Sequence, residues 1–273
     1  MKIILDMMGG DRPEENRKAL EQLKEEASLE TGGKLDDAEI IPAFGETAEE
    51  SMEKAFALLS ESDNSALVSM GETRNLVIGA MNHIGVEDGI QRPVFCPVLP
   101  TFTGGIVGIC DSGAIINTNP EMLVQYALLG SEYIKKTYGI ESPRVGLLNI
   151  GTEPDKGDSL HREAYRLLSL CEGINFRGNM EARDFLSGDY DLAVSDGFSG
   201  NIMLKSIEGV AEGLIRRLYR YIPSDEINFM NYHNYGGSAL LGAKKLIIKA
   251  HGSSDSRAIQ VAIRQAAGYL SNL

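Results

Sequence analysis

Short apolar runs rich in Ile, Val and Leu alternate along the chain with amphipathic stretches. This is the pattern of a mainly parallel sheet covered by helices on both faces. The runs predict strands near residues 2–6, 38–43, 65–69, 93–98, 105–110, 144–149, 190–195 and 245–249. The stretches between them predict helices near 14–27, 46–61, 73–83, 120–138, 159–171, 199–221 and 254–270. The fold class that follows is α/β, a three-layer α/β/α arrangement around a mainly parallel sheet. No Pro- or Ser-rich linker, low-complexity tract or internal repeat divides the chain, so residues 1–273 read as a single α/β unit of one or two lobes. Helical periodicity fails between Tyr221 and Gly237, where Pro223 and then Gly236-Gly237 interrupt it. Residues 214–235 are therefore expected to form a projecting helical or flap segment.

With 273 residues, 43% of them hydrophobic, the chain can bury one large core or two smaller ones. A formal charge of −13 argues against a general nucleic-acid binder, which needs a basic footprint. Cys96, Cys110 and Cys171 show neither paired spacing nor a metal pattern with the four histidines. No disulfide framework, metal site or cofactor is expected, and reduced cytoplasmic thiols fit this usage. The first residues carry one lysine and a short run interrupted by Asp6, too brief and polar for a signal peptide or a spanning helix.

The chemistry gathers where strands give way to helices. Asp6-Met7-Met8-Gly9-Gly10-Asp11 follows Ile3-Ile4-Leu5 and precedes the helix start at Pro13, so two adjacent glycines bracketed by carboxylates form a ligand loop. The same punctuation recurs in Ser69-Met70-Gly71-Glu72-Thr73, in Asp111-Ser112-Gly113-Ala114, from Gly151 to Asp158 and from Asp196 to Asn201. In a parallel sheet such ends lie on one edge, where ligands bind. The strongest anion candidate is the stretch from Asp196 to Lys205: Gly197 and Gly200 free the backbone, helix N–H groups face outward, and Asn201 and Lys205 share a helical face. Lys156, between Asp155 and Gly157, suits a phosphate or a developing oxyanion; a solvated surface lysine is the plainer reading. His251-Gly252-Ser253 opens the last helix as another small-residue loop.

Familiar nucleophile motifs are absent. The chain has no Gly-x-Ser-x-Gly elbow, no Gly-x-x-x-x-Gly-Lys-Ser/Thr loop and no Gly-x-Gly-x-x-Gly fingerprint. Cys110 precedes Asp111, whose charge raises a thiol pKa and disfavours a cysteine nucleophile.

Several ordered blocks resemble the acyl-ACP:phosphate acyltransferase family of bacterial phospholipid synthesis (PlsX). They are the Asp6–Asp11 loop, Arg92-Pro93 leading to Leu99-Pro100, Pro143 to Gly151, Lys156-Gly157, Ile174-Asn175-Phe176 with Gly178-Asn179, Asp196-Gly197-Phe198 with Gly200-Asn201, Tyr235-Gly236-Gly237 and His251 to Asp255. The resemblance implies a homodimeric enzyme of the isocitrate dehydrogenase and phosphotransacetylase fold group. It would convert an acyl-carrier-protein thioester and inorganic phosphate into acyl phosphate. It also implies that Lys156 balances charge on phosphate or the oxyanion, that Asn201 donates a hydrogen bond, and that Gly9, Gly10, Gly197 and Gly200 complete the cradle. Asp6, Asp11, Asp111 and Asp196 would orient loops and lysines, since like charges repel phosphate, with general-base work by one of them as the alternative.

The chain departs from the family pattern at Ser69-Met70-Gly71-Glu72-Thr73-Arg74, where the family keeps small neutral residues, at Ser112 and Ile115 in the Asp111 loop, and at Arg12. It is shorter than typical members before Ser65 and before Tyr235, and the second of these segments is implicated in membrane association. Arg216, Arg217 and Arg220 among Leu214, Ile215, Leu218 and Tyr219 leave a weakened peripheral membrane contact, contact with the acidic carrier protein, or an ordinary helix packed in the dimer as readings. A phosphotransacetylase-like enzyme using short acyl-CoA and a catalytically silent binding paralogue are the alternative functions.

Overall fold

The computed structural model describes residues 1–28, 38–222, 231 and 235–273. The chain begins with β1 (Lys2–Asp6), α1 (Pro13–Ser28), β2 (Glu39–Ala43), α2 (Ala48–Glu61), β3 (Ser65–Ser69) and α3 (Thr73–Gly79). A π-helical turn, Ala80–Ile84, continues α3. Next come β4 (Val94–Cys96), β5 (Val98–Pro100), β6 (Ile106–Cys110), α4 (Pro120–Tyr138), β7 (Arg144–Asn149) and α5 (Ser159–Leu170). The remaining elements are β8 (Asn175–Glu181), β9 (Leu192–Val194), α6 (Gly197–Leu218), β10 (Ser238–Leu241), β11 (Leu246–Lys249) and α7 (Ser256–Leu270). These fall into two compact units, Met1–Pro93 with His233–Leu273, and Val94–Tyr232.

In the first unit the strands run in the order β2-β1-β3-β11-β10, all parallel except β10 against β11. Every residue of β3 is buried. Because successive side chains face opposite ways, both faces of the sheet are covered. α2 packs on β1, β2 and β3, while α7 packs on α1, β1, β3 and β11. Thr47 starts α2 by accepting the Glu50 N–H at 3.2 Å.

The second unit has the order β5-β6-β9-β7-β8, with only β5 antiparallel. Val107, Ile109, Met180, Phe185 and Ala193 form its core with Met203 and Leu204 of α6. α4 matches its predicted span because both ends are written locally. Asn119 accepts the Met122 N–H at 2.8 Å, Pro120 takes the first turn, and Gly139 stops the helix at φ 72°.

The predicted α/β class and parallel pairing hold, with the strands shared between two sheets. The expected strand at 93–98 divides into β4 and β5 around Pro97, whose nitrogen cannot donate to a ladder. Two strands escaped the apolar pattern. β8 is an edge strand of polar composition, kinked by Gly178 at φ 97° opposite a register shift in β7. β10 is only four residues long and follows paired glycines. Of the flap expected over 214–235, α6 carries the first residues, whereas 223–230 and 232–234 lie outside the described residues.

Arg144 and Asp191 tie β7 to the entry of β9. The backbone N–H and Nε of Arg144 donate to Asp191 Oδ2 at 2.7 and 2.9 Å, and Nη2 donates to Oδ1 at 2.8 Å. Asp191 is buried whereas Arg144 keeps water contact. Asp191→Ala is expected to destabilise the protein by about 2 kcal/mol in urea unfolding, the scale of hydrogen bonds to a charged group.

Candidate active site

β1, β3 and β11 are parallel neighbours, so the loops after Asp6, Ser69 and Lys249 leave the same edge of the first unit. Asp6 organises this edge and is fully buried. Its Oδ1 accepts the N–H groups of Met8 and Gly9 at 3.3 and 3.2 Å, together with the Ser51 hydroxyl at 2.5 Å. Its Oδ2 accepts the Ser69 hydroxyl at 2.7 Å, and Ser69 Oγ in turn accepts the Gly71 N–H at 3.0 Å. A Cβ on Gly9 would sit 2.4 Å from Asp6 Oδ2, so only glycine fits there. Asp11 donates its N–H to the Gly252 carbonyl at 2.8 Å and joins the first loop to the last. His251 Nδ1 lies 2.7 Å from Ser253 Oγ. Thr73 opens α3 and is exposed. Among the described residues, the amides of Gly10 and Gly252 have no protein acceptor.

In the second unit β6, β9 and β7 are parallel neighbours, and their ends carry the Asp111, Asp196 and Gly151–Lys156 loops. Asp111 is fully buried. Its carboxyl accepts the N–H groups of Gly113 and Ala114, both at 3.1 Å, and of Ile115 at 2.7 Å. Burial pushes this carboxyl above the usual carboxylate range, against the pull of the surrounding amides. Asp196 caps α6 by accepting the Phe198 and Ser199 N–H groups at 3.0 and 2.9 Å. The first turn of α6 lies hard against the Asp111 loop: a Cβ on Gly197 would meet Ile115 O at 2.4 Å, and one on Gly200 would meet Asp111 O at 2.0 Å. The Asn201 side chain, on the same turn, stands 3.4 Å from the Cβ position of Gly113.

The amides of Gly197 and Gly200 donate to Ile115 O and Asp196 O. With those of Gly9, Gly71 and Gly113 they hold the loops. Lys205 lies one turn beyond Asn201 and donates to Glu208 at 2.7 Å. Lys156 is exposed, with Glu153 Oε1 4.0 Å from its Nζ. Burial, then Cys96, then the Asp111 charge hold the Cys110 thiol well above its ordinary value, which removes it as a nucleophile.

The profile of a family described as fatty acid synthesis protein matches residues 14–272. A phosphate acyltransferase from Bacillus pumilus (strain SAFR-032) is 41% identical over 84% of this chain and 73% of its own length. Another, from Anoxybacillus flavithermus (strain DSM 21510 / WK1), is 36% identical over 97% of this chain and 94% of its own. The chain belongs to the phosphate acyltransferase family. A phosphotransacetylase from Staphylococcus aureus superposes with a TM-score of 0.65 at 16% identity, covering 99% of this chain and 94% of that one, which shows a shared fold.

Two of this acyltransferase's site-building residues escaped the loop reading. Asn149, the last residue of β7, donates to the Lys156 carbonyl at 3.2 Å and to Asn179 Oδ1 at 3.1 Å. Asn179, buried in β8, donates to the Glu153 carbonyl at 2.6 Å. An asparagine ending an apolar strand and another within a polar run were the available signals. The departures Glu72 and Arg74 are both exposed at the start of α3.

Replacing Asp6 by Ala would leave the Gly9 amide and the Ser69 hydroxyl without their acceptor and would leave the Met8 amide and the Ser51 hydroxyl only Ser51 Oγ and Ala43 O. The expected cost is about 3 kcal/mol or more, greater than that of Asp191→Ala, read as a shift of the urea midpoint.

Proposed function

We propose that this enzyme transfers an acyl group from an acyl-carrier-protein thioester to inorganic phosphate. The observation that carries the reading is the shared strand edge of β6, β9 and β7, which sets the Asp111, Asn201 and Lys156 loops side by side. A phosphate oxygen attacks the thioester carbonyl carbon, forming the C–O bond and a tetrahedral oxyanion. Collapse breaks the C–S bond, and the sulfur takes a proton and leaves as the carrier thiol. Lys156 balances charge on the phosphate, and the Asn201 amide donates to the oxyanion. In the first unit the open amides of Gly10 and Gly252, with the loops bearing Asp11, Ser69, Thr73, His251 and Ser253, are candidate anion-binding elements of that unit. Asp6, Asp111 and Asp196 act by holding loops. The chemistry calls on no cofactor, metal or nucleic acid.

The enzyme is further assigned as a cytoplasmic homodimer. Supporting the dimer is an apolar groove of about 310 Å³ in the second unit, lined by Leu99, Phe102, Leu186, Ile207, Val210 and Leu214. Phe102 and Val210 are 66% and 62% exposed and offer apolar surface to a second copy. No described helix is long and apolar enough to cross a membrane. Contact through Arg216, Arg217 and Arg220 is weak and peripheral. Sedimentation with and without anionic vesicles at physiological salt should show a dimer that stays in the supernatant; a monomer, or full co-sedimentation, rejects the respective assignment.

Acyl phosphate trapped as hydroxamate, from matched acyl-carrier-protein and acyl-CoA donors, tests the activity. Carrier-protein donors are expected to give phosphate-dependent product, reduced by about a hundredfold or more in Asn201→Ala and in Lys156→Ala, the scale of a lost oxyanion donor. A preference for short acyl-CoA instead selects phosphotransacetylase chemistry. No turnover from the folded protein selects a binding role.

A further inference from the structure

We propose that Asn149 and Asn179 are positioning residues that hold Lys156 in its working place, an inference that rests on the assignment of Lys156 above. The lysine ends a loop that would otherwise be free to wander over the strand edge. Asn149 fastens the far end of that loop by donating to the Lys156 carbonyl at 3.2 Å. Asn179 fastens its middle by donating to the Glu153 carbonyl at 2.6 Å, and the Glu153 carbonyl also accepts the Lys156 N–H at 3.2 Å. The two amides are joined, Asn149 Nδ2 to Asn179 Oδ1 at 3.1 Å, and Asn149 Oδ1 accepts the Ile150 N–H at 2.8 Å.

Packing completes the clamp. Gly157 has φ +85°, and a Cβ there would strike Asn149 Oδ1 at 2.7 Å and His161 Cβ at 2.7 Å. The Gly157 backbone therefore packs directly against the Asn149 amide. The lysine stem runs across Gly151, whose Cβ position is 3.0 Å from Lys156 Cγ and 3.3 Å from Cδ. Arg162 holds the other side by donating to the Gly157 carbonyl at 2.6 Å. Backbone and stem are thus set, while among the described residues Nζ pairs with Glu153, at 4.0 Å. A lysine ordered before its anion arrives loses less conformational freedom on binding, and a preset donor is what charge stabilisation requires.

A double-mutant cycle on the full chain tests this. The dissociation constant of inorganic phosphate is read by ³¹P NMR titration in wild type, Asn149→Ala, Lys156→Ala and the double variant, with kcat and KM for phosphate beside it. Lys156→Ala is expected to weaken phosphate by about tenfold and Asn149→Ala by about fivefold, while the double variant stays within about twofold of Lys156→Ala because both act through one group. Multiplying effects, or wild-type affinity in Asn149→Ala, would overturn the proposal. Normal phosphate affinity and turnover in Lys156→Ala would remove the lysine assignment itself and this inference with it. Asn179→Asp, which keeps size but removes the donor to Glu153 O, gives a second cycle should Asn149→Ala fail to fold; non-additivity with Lys156→Ala supports the clamp and additivity rejects it.

Discussion

Two buried carboxylates, Asp6 and Asp111, hold the glycine loops of this protein by accepting their amides. A carboxylate taken out of water needs hydrogen-bond donors on nearly every lone pair. The loops that supply those donors are consequently bound to a single shape. Asp6 gathers Met8, Gly9, Ser51 and Ser69; Asp111 gathers Gly113, Ala114 and Ile115. Asp6 ends β1 and Asp111 directly follows β6, so the sheet positions the carboxylate and the carboxylate positions the loop. The tight approach of Gly200 to Asp111 then places the first turn of α6, and with it Asn201.

This use of amides has a chemical consequence. A glycine-rich loop at a helix start suggests a nest of backbone donors open to phosphate. Here the amides of Gly9, Gly71, Gly113, Gly197 and Gly200 are engaged by the protein. In the proposed reaction the donors are therefore an amide on a helix turn and a lysine on a clamped loop, and the substrate carries its own nucleophile, so positioning and charge balance are the main tasks left to the protein.

The exposed Glu72 and Arg74 change the charge around the β3 loop without touching its anchor, since the Ser69 hydroxyl still donates to Asp6 and the Gly71 N–H to Ser69 Oγ. The loop skeleton and the residues that decorate it are therefore separable.

Elements with local signals were legible in the amino-acid sequence. The buried parallel strands read as apolar runs, α4 carried its own cap and stop, and the small-residue punctuation marked the loops after β1, β3, β6, β7, β9 and β11. What the chain alone determined was thus the alternation of elements, the α/β class and the position of those loops, because these depend on side-chain periodicity and short-range hydrogen bonding. Only the tertiary structure decided that the strands divide between two sheets, that polar β8 pairs with β7, that Lys205 turns to Glu208, and that Asn149 and Asn179 reach the Lys156 loop. Those outcomes rest on partners distant in sequence, and no local pattern records which buried donor will find which acceptor.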